Sequence, residues 1–475
     1  MIQRENAKTE QQGVTDTWFV TDADYANAGQ IEGYASATSV GRGESIELFV
    51  NTSEPHYSMS IYRIGWYGGR GGRLVAGPIQ RSGVRQPSPR TDAATRLVEC
   101  HWIDPYVLTI PNNPTDPTDW ASGVYLVKLT AGVSRKQSYI IFTVRDDLRQ
   151  SPLLFQCSVT TYAAYNNWGG YDFYDIDSLN QRPAYKVSFN RPYRNPQRPL
   201  NGKGAGEFLT WEIMMVRFLE REGYDVKYCT NIDVDANPQM LTRQRAFLSV
   251  GHDEYWTREM RDAIEGARNA GVHYGVFSSN TGYWQVRLEG CSHGHPRRTV
   301  VCYKYDAPVS DPLYSTNPPL ATGLWRHGYP GRPARPEAAL LGVMYDYNSV
   351  DTDIVISNAS HWICEGAGLA NGTALRGLLG FEVDRVDPAS SPANIQIIAS
   401  SPYEVMRPGC TGPACRIETR HSNVTYYTAP SGSGVFASGS NQWCWGLDSF
   451  GEANGRVHPA VQRMTRNVLN RFISS

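Results

Sequence analysis

The stretch FLSVGHDEYWTREMRDAI, Phe247–Ile264, decides the architecture. It opens on an apolar run that reaches Gly251. Four titratable side chains follow without a break: His252, Asp253, Glu254 and Tyr255. A helical pattern starts at once. Thr257 is placed as its N-cap, Glu259 stands in the first turn, and Met260, Ala263, Ile264 and Ala267 recur on one face before Gly271. A buried strand that passes through a polar turn into an amphipathic helix is the repeating unit of a parallel α/β sheet.

Working outward, PLLFQCSV (Pro152–Val159) is a near-continuous apolar run, as a strand covered on both faces requires. A helix is expected over Glu207–Glu222, with Trp211, Met214, Met215, Phe218 and Leu219 on one face and Gly223 as its C-terminal stop. YDVKYCTN (Tyr224–Asn231) and VHYGVFSSN (Val272–Asn280) read as further strands. The region from 149 to 475 therefore reads as a doubly wound α/β domain. An irregular, Pro- and Gly-rich insertion interrupts it near 290–340, and a helix closes it over His458–Ile473. Residues 1 to 148 have a different texture. Glu44–Thr52, Tyr57–Tyr67, Gly123–Gly132 and Gln137–Asp146 alternate apolar and polar positions, broken by Gly, Asn, Pro and Ser clusters. Short antiparallel strands in an immunoglobulin-like β-sandwich are expected there. GWYGGRGGRL (Gly65–Leu74) lacks the Lys-Ser/Thr of a phosphate loop and reads as a tight turn.

Composition excludes some functions. The 475 residues carry a formal charge of −1. Neither nucleic acid nor an anionic membrane finds its electrostatic footprint in such a chain. No apolar run has the length of a transmembrane helix, and the opening MIQRENAKTE is not a signal peptide. Localisation stays open between the cytoplasm and a mature secreted form. Nine cysteines are too few for a disulfide scaffold. Cys410 with Cys415, and Cys291 with Cys302, are spaced so that each pair could close a short loop. No cysteine or histidine spacing suits structural zinc.

Ligands of an open parallel sheet bind beyond the carboxyl ends of its strands. If the four strands take the order 2-1-3-4, the loops after the first, third and fourth meet in one crevice. Tyr162, Tyr165, Asn166 and Trp168 follow the first strand; His252, Asp253, Glu254 and Tyr255 the third; Asn280 the fourth. Each has a structural alternative. Glu254 would cap the following helix, His252 would be a loop histidine, Asn280 would close an Asx-turn and Tyr165 would be packing. No GxSxG elbow is present and no cysteine follows Gly251, which argues against serine and cysteine nucleophiles. His-x-Glu suits metal binding, water activation, or both.

Several of these segments resemble one family. SIYRIGWYGGRGGRLV, CSVTTYAAYNNWGGYDFYD, KVSFNRPY, VGHDEYWTREMRDAI, GVFSSNTGYWQVR, GLLGFEVDRV and FASGSNQWCWGLD are similar to the large subunit of N,N-dimethylformamidase and to the proteins that share its C-terminal catalytic domain. The resemblance implies a sandwich followed by a class I glutamine-amidotransferase-like α/β domain. It implies an amidohydrolase with a mononuclear ferric ion, Fe(III), held by two tyrosines and a glutamate. Carried over, the glutamate is Glu254, the first tyrosine Tyr165 and the second Tyr185. The family's active-site histidine matches His252, its asparagine Asn280, its lysine Lys304 and a second glutamate Glu382. Phenolate and carboxylate are hard anionic donors that suit a trivalent cation. The expected partner is a small-molecule amide; a homo-oligomer is left open, and no small partner subunit is evident in the sequence. Two other readings stand beside this one: a metal-free hydrolase or transferase on the same scaffold, and a non-catalytic protein that binds carbohydrate or another protein.

Overall fold

A computed structural model describes residues 1–8, 17–196, 203–406, 409–410, 412–451 and 455–474. The N-terminal strands form two layers. Glu32–Ala35, Ser45–Asn51 and Tyr106–Thr109 make one antiparallel sheet. The other runs Ser39–Gly41, Gln137–Arg145, Gly123–Ala131, His56–Ile64, Gly72–Ser82. Ile46, Leu48 and Val50 of the first sheet share a core with Met59, Ile61, Val127, Leu129, Ile140 and Phe142 of the second. The alternation read from sequence holds in Ser45–Asn51, where every second residue is buried. It fails in Gly123–Ala131, where all residues are buried. The second face of that strand is not solvated. Tyr62, Ile64, Val124, Leu126 and Tyr139 pack in one cluster with Leu153, Phe155, Phe218 and Tyr228 of the α/β region.

A buried polar knot reinforces that junction. Arg63 is fully buried and grips Glu220 in a bidentate pair, Nη2 to Oε1 at 2.7 Å and Nη1 to Oε2 at 3.0 Å. Tyr228 donates to the same carboxylate at 3.0 Å and Asn6 at 2.8 Å. Arg63 belongs to a sandwich strand and Glu220 to the helix Ile213–Arg221, so the pair fixes one layer on the other. A planar guanidinium fork matched to a carboxylate is the geometry that tolerates burial.

The four expected α/β strands are Leu153–Cys157, Val226–Thr230, Ala246–Gly251 and His273–Ser278, all parallel. They lie in the order second, first, third, fourth. Gly434–Ala437 continues the sheet in parallel, and Arg416–Thr428 and Gln396–Met406 close it antiparallel. The helix expected at Glu207 is present, starting as an α-helical turn at Ala205–Glu207 and passing through a π-helical stretch at Phe208–Glu212 into Ile213–Arg221. Gly223 stops it at φ +79°, where a β-carbon would be strained. Thr257 caps the helix Arg258–Asn269 by accepting from Met260 N at 3.1 Å. Pro459–Ser474 closes the chain with Val461, Met464, Val468, Leu469 and Phe472 buried. Two further elements bear on the site. A small sheet joins Lys186–Ser188, Thr299–Val301, Trp284–Glu289 and Tyr255–Thr257, and a long hairpin pairs Met344–Val355 with Ala374–Arg385. Residues 304–320 of the irregular segment form only short helices and turns.

Cys410 and Cys415 are joined as a disulfide. Cys291 and Cys302 are not: both are buried free thiols, because they sit on different turns of the small-sheet region. Among the described residues no helix is long and apolar enough to cross a membrane.

Two stability measurements follow. Glu220→Ala leaves the Arg63 guanidinium buried and unpaired, and should lower the urea-unfolding free energy by about 3–5 kcal/mol. Burial pushes the Glu212 carboxyl up to about 8, against an ordinary value of 4.5. A carboxyl that keeps its proton in the folded state stabilises fully below the ordinary value. That stability is lost as pH rises through about 4.5 to 8, at about 1.4 kcal/mol per unit. Glu212→Gln should remove this loss, so the urea midpoints of the two proteins should draw apart between pH 5 and pH 8, the variant being favoured at the higher pH.

Candidate active site

The polar turn after the third parallel strand is built around Asp253, whose carboxylate points inward. Gln156 Nε2 donates to its Oδ2 at 2.7 Å, Ser249 Oγ to the same oxygen at 2.5 Å, and Asn231 Nδ2 to Oδ1 at 2.9 Å. Those donors come from the first strand, the third strand and the residue just past the second. Burial raises the Asp253 pKa, and the donors oppose that rise. Gly251 precedes the turn at φ +76°, and a β-carbon there would stand 2.6 Å from Trp211 Cβ. Only glycine therefore passes between the helix and the turn.

With Asp253 held inward, its neighbours project to the other side. Glu254 is anchored through its backbone. Its N–H donates to Thr161 Oγ1 at 3.0 Å, and its carbonyl accepts from Tyr283 N at 2.9 Å and Trp284 N at 3.1 Å. Its side chain does not cap the helix, since Thr257 does. Tyr165 donates its hydroxyl proton to Glu254 Oε2 at 2.7 Å. Tyr174 donates to Tyr165 at 2.8 Å, lies 3.3 Å from each Glu254 oxygen and 2.6 Å from the Tyr255 hydroxyl. The Tyr165 and Tyr174 rings stack at 4.6 Å. His252 Nε2 lies 2.7 Å from Glu382 Oε2 and 3.3 Å from Glu254 Oε2. Glu382 arrives from the hairpin strand Ala374–Arg385, which Ser279 fixes by donating to the Glu382 carbonyl at 2.6 Å. Lys304 places its ammonium 3.3 Å from the centre of the Tyr174 ring, a cation–π contact.

The electrostatics follow from this crowding. Burial pushes the Tyr165 and Tyr174 phenols well above their ordinary range, and the Glu254 charge adds to it. Burial works against a charged His252, but Glu382 and Glu254 prevail and raise its pKa well above the ordinary value. Burial raises the Glu254 carboxyl, yet His252 and Lys304 together hold it below its ordinary value. Burial lowers the Lys304 pKa, with Glu254 opposing. Both carboxylates approach the same ring nitrogen, His252 Nε2, and together they favour the charged form of the histidine.

Asn280 sits at the end of the fourth strand with φ +51°. Its backbone N–H donates to Asp384 Oδ1 at 2.8 Å, while its own Oδ1 is buried without a hydrogen-bond partner. The structure thus gathers Tyr165, Glu254, His252, Glu382 and Lys304, with Asn280 beside them on the adjacent strand end. It does not bring Tyr185 there: Tyr185 donates to Asp306 Oδ2 at 2.8 Å, stacks on Tyr303 and lies under Arg96. Asn166 and Trp168 serve the scaffold; Asn166 braces Pro192 and Arg194, and Trp168 donates to Glu32 Oε2 at 2.8 Å across to the sandwich. Sequence reasoning missed Tyr174, although it lies in the same aromatic segment as Tyr165. It also missed the structural part played by Asp253.

Among the described residues no group of three or more His, Cys, Asp and Glu side chains is arranged to hold a metal. The convergent set here is of another kind, two phenols and one carboxylate. Their oxygens lie within 2.7–3.3 Å of one another and are joined to each other, the phenols half-buried and the carboxylate buried. Once deprotonated they would offer three hard anionic donors, which is the chemistry of a site for a hard trivalent cation.

The α/β sheet carries a crevice of carboxylate, histidine and phenol groups beyond the ends of its parallel strands, and it packs against a β-layered module. Residues 58–457 match the family described as N,N-dimethylformamidase beta subunit-like, C-terminal, and the chain belongs to that family. It is 25% identical over 454 residues to the N,N-dimethylformamidase beta subunit of Alcaligenes sp, covering 79% of this chain and 55% of that one. It is 24% identical over 453 residues to that of Paracoccus aminophilus, with the same coverage. The chain therefore spans about half the length of these curated relatives. An alkylpurine DNA glycosylase of Pseudomonas fluorescens aligns at 10% identity over 24% of this chain and 30% of its own, and murine CEACAM1b at 11% over 26% and 62%; both have a TM-score of 0.14 and carry no argument.

Asp253→Ala should strip three buried donors of their acceptor. An unfolding free energy lower by about 3 kcal/mol or more is expected, together with loss of whatever function the turn supports. Denaturant titration beside an activity assay checks both.

Proposed function

We propose that this chain hydrolyses an amide C–N bond at the Tyr165–Tyr174–Glu254–His252–Glu382 cluster, with one ferric ion held by Tyr165, Tyr174 and Glu254. The observation that carries the reading is the convergence of two half-buried phenols on one buried carboxylate beside an ion-paired histidine. Family membership supports the reaction class, and the donor set supports the ion. When bound, such an ion supplies a Lewis acid for the amide carbonyl and acidifies water.

The remaining work falls to this chain's side chains. Glu382, 2.7 Å from His252 Nε2, is placed to take a proton from the attacking water and to return it through His252. His252 Nε2, as imidazolium, is the donor for the leaving nitrogen. The unpartnered Asn280 Oδ1 needs a donor, and an amide or amine N–H supplies one. The Lys304 ammonium adds positive charge near the oxygen on which negative charge develops. Stacked rings and backbone hydrogen bonds hold these groups in advance of substrate, which is where such sites gain their rate. The small amide of the relatives' name is a reasonable first substrate, within a panel of formamides and acetamides.

Metal content and the visible spectrum of tag-free protein test the ion directly. Stoichiometric iron with a broad tyrosinate charge-transfer band is expected. Tyr174→Phe should lose most of both, whereas Tyr185→Phe should keep them. Retention in Tyr174→Phe with loss in Tyr185→Phe would refute the ligand set. His252→Ala should lower kcat by about 10²–10⁴-fold while the iron and its band stay. Hydrolysis by a colourless, iron-free protein would favour the metal-free reading, with His252 and Glu382 acting alone.

A further inference from the structure

A second cluster of chemistry-bearing side chains lies outside the crevice. His101 follows the short strand Val98–Glu99 of the N-terminal region. His293 lies on the turn between Trp284–Glu289 and Thr299–Val301, in the α/β region. The two rings meet across the junction, His101 Nδ1 to His293 Nε2 at 2.9 Å. Their centroids are 4.4 Å apart and their planes cross at 59°. Two imidazoles meeting nitrogen to nitrogen in line would hold their centroids at roughly 5 Å, so the ring axes here are not collinear. They border a cavity of about 220 Å³ that His295, Tyr34, Trp102 and Arg298 also line.

We propose that His101 and His293 form a two-imidazole site for a divalent transition-metal ion of the Cu²⁺ or Ni²⁺ type, completed by water. Metal–imidazole bonds are about 2.0–2.1 Å. Two such bonds at a right angle place their nitrogens about 2.9 Å apart, the cis spacing of tetragonal and square-planar ions. A tetrahedral ion needs a wider pair, about 3.3 Å with the same bonds, which disfavours zinc. The protons can be placed to suit. His101 Nε2 faces Ser292 Oγ at 3.4 Å and keeps its proton there. His293 then carries its own on Nδ1, so both inner nitrogens present lone pairs and no net proton is released. Glu99 Oε2, 3.9 Å behind His101 Nε2, is buried and held by Ser292 N at 3.3 Å, while Asn190 Nδ2 holds its other oxygen at 3.2 Å. A carboxylate behind a ligating histidine orients the ring and raises its basicity. The site is independent of the amidohydrolase reading, since none of its residues touches the crevice cluster in the contacts described above.

The test is calorimetric titration of tag-free, chelator-stripped full chain with Cu²⁺, followed by electron paramagnetic resonance of the loaded protein. One equivalent showing nitrogen hyperfine coupling from two imidazoles is expected, with a raised Tm because the ion ties the two regions together. His293→Ala changes only an exposed turn and should weaken this binding at least about 10-fold without moving the metal-free Tm; His101→Ala should do the same to the binding. Glu254→Gln should retain it. Parent-like affinity and nitrogen coupling in His293→Ala would overturn the proposal, and so would loss of the site in Glu254→Gln.

Discussion

The buried carboxylate of Asp253 is the constraint on which the rest depends. A carboxylate withdrawn from water must find donors, and here they come from the ends of three neighbouring parallel strands. That requirement locks the strand ends together. It also fixes the direction of the chain through the turn, so that His252 and Glu254 face the crevice while Asp253 faces the core. The same turn is pressed against the helix by Gly251, where no β-carbon fits. A site whose geometry must be held to fractions of an ångström gains from such anchoring by elements that cannot move separately.

The β-layered region takes part in that rigidity. The central strand Gly123–Ala131 of its second sheet is buried at every residue, and the Arg63–Glu220 pair crosses the junction with no exposure to solvent. Trp168, on the loop between Tyr165 and Tyr174, reaches Glu32 of the sandwich. The loop that supplies the phenols is therefore clamped at one end by the crevice and along its length by the other layer. The two regions share a core and act as one support for the site.

Within the crevice, opposite charges are matched closely. Glu254 and Glu382 share His252, and Lys304 balances the remaining charge from the far side of Tyr174. The phenols stay protonated in this surrounding because burial and Glu254 both oppose their ionisation. In the proposed ferric reading a trivalent cation would reverse that balance, since it would favour the phenolates that the carboxylate disfavours, and ion loading would then be coupled to phenol ionisation.

Much of the scaffold was legible in the sequence. Period and capping placed the four parallel strands, Thr257 as N-cap and Gly223 as helix stop, because local sterics and backbone hydrogen bonding fix those features. The polar turn and its neighbouring loops were likewise readable, since strand ends in a parallel sheet all point one way. Other features came from three-dimensional packing alone. Tyr174 and Tyr185 both lie in aromatic loop sequence, and only the path of the loop sends the first to Glu254 and the second to Asp306. Glu382 reaches His252 from a hairpin about 130 residues later in the chain. Cys291 and Cys302 are spaced for a bridge and do not form one. By itself the sequence determined which elements form and which residues cluster at strand ends. The tertiary structure decided which side chains meet, because a side chain's direction depends on how its loop is packed, and that packing is set by residues distant in the chain.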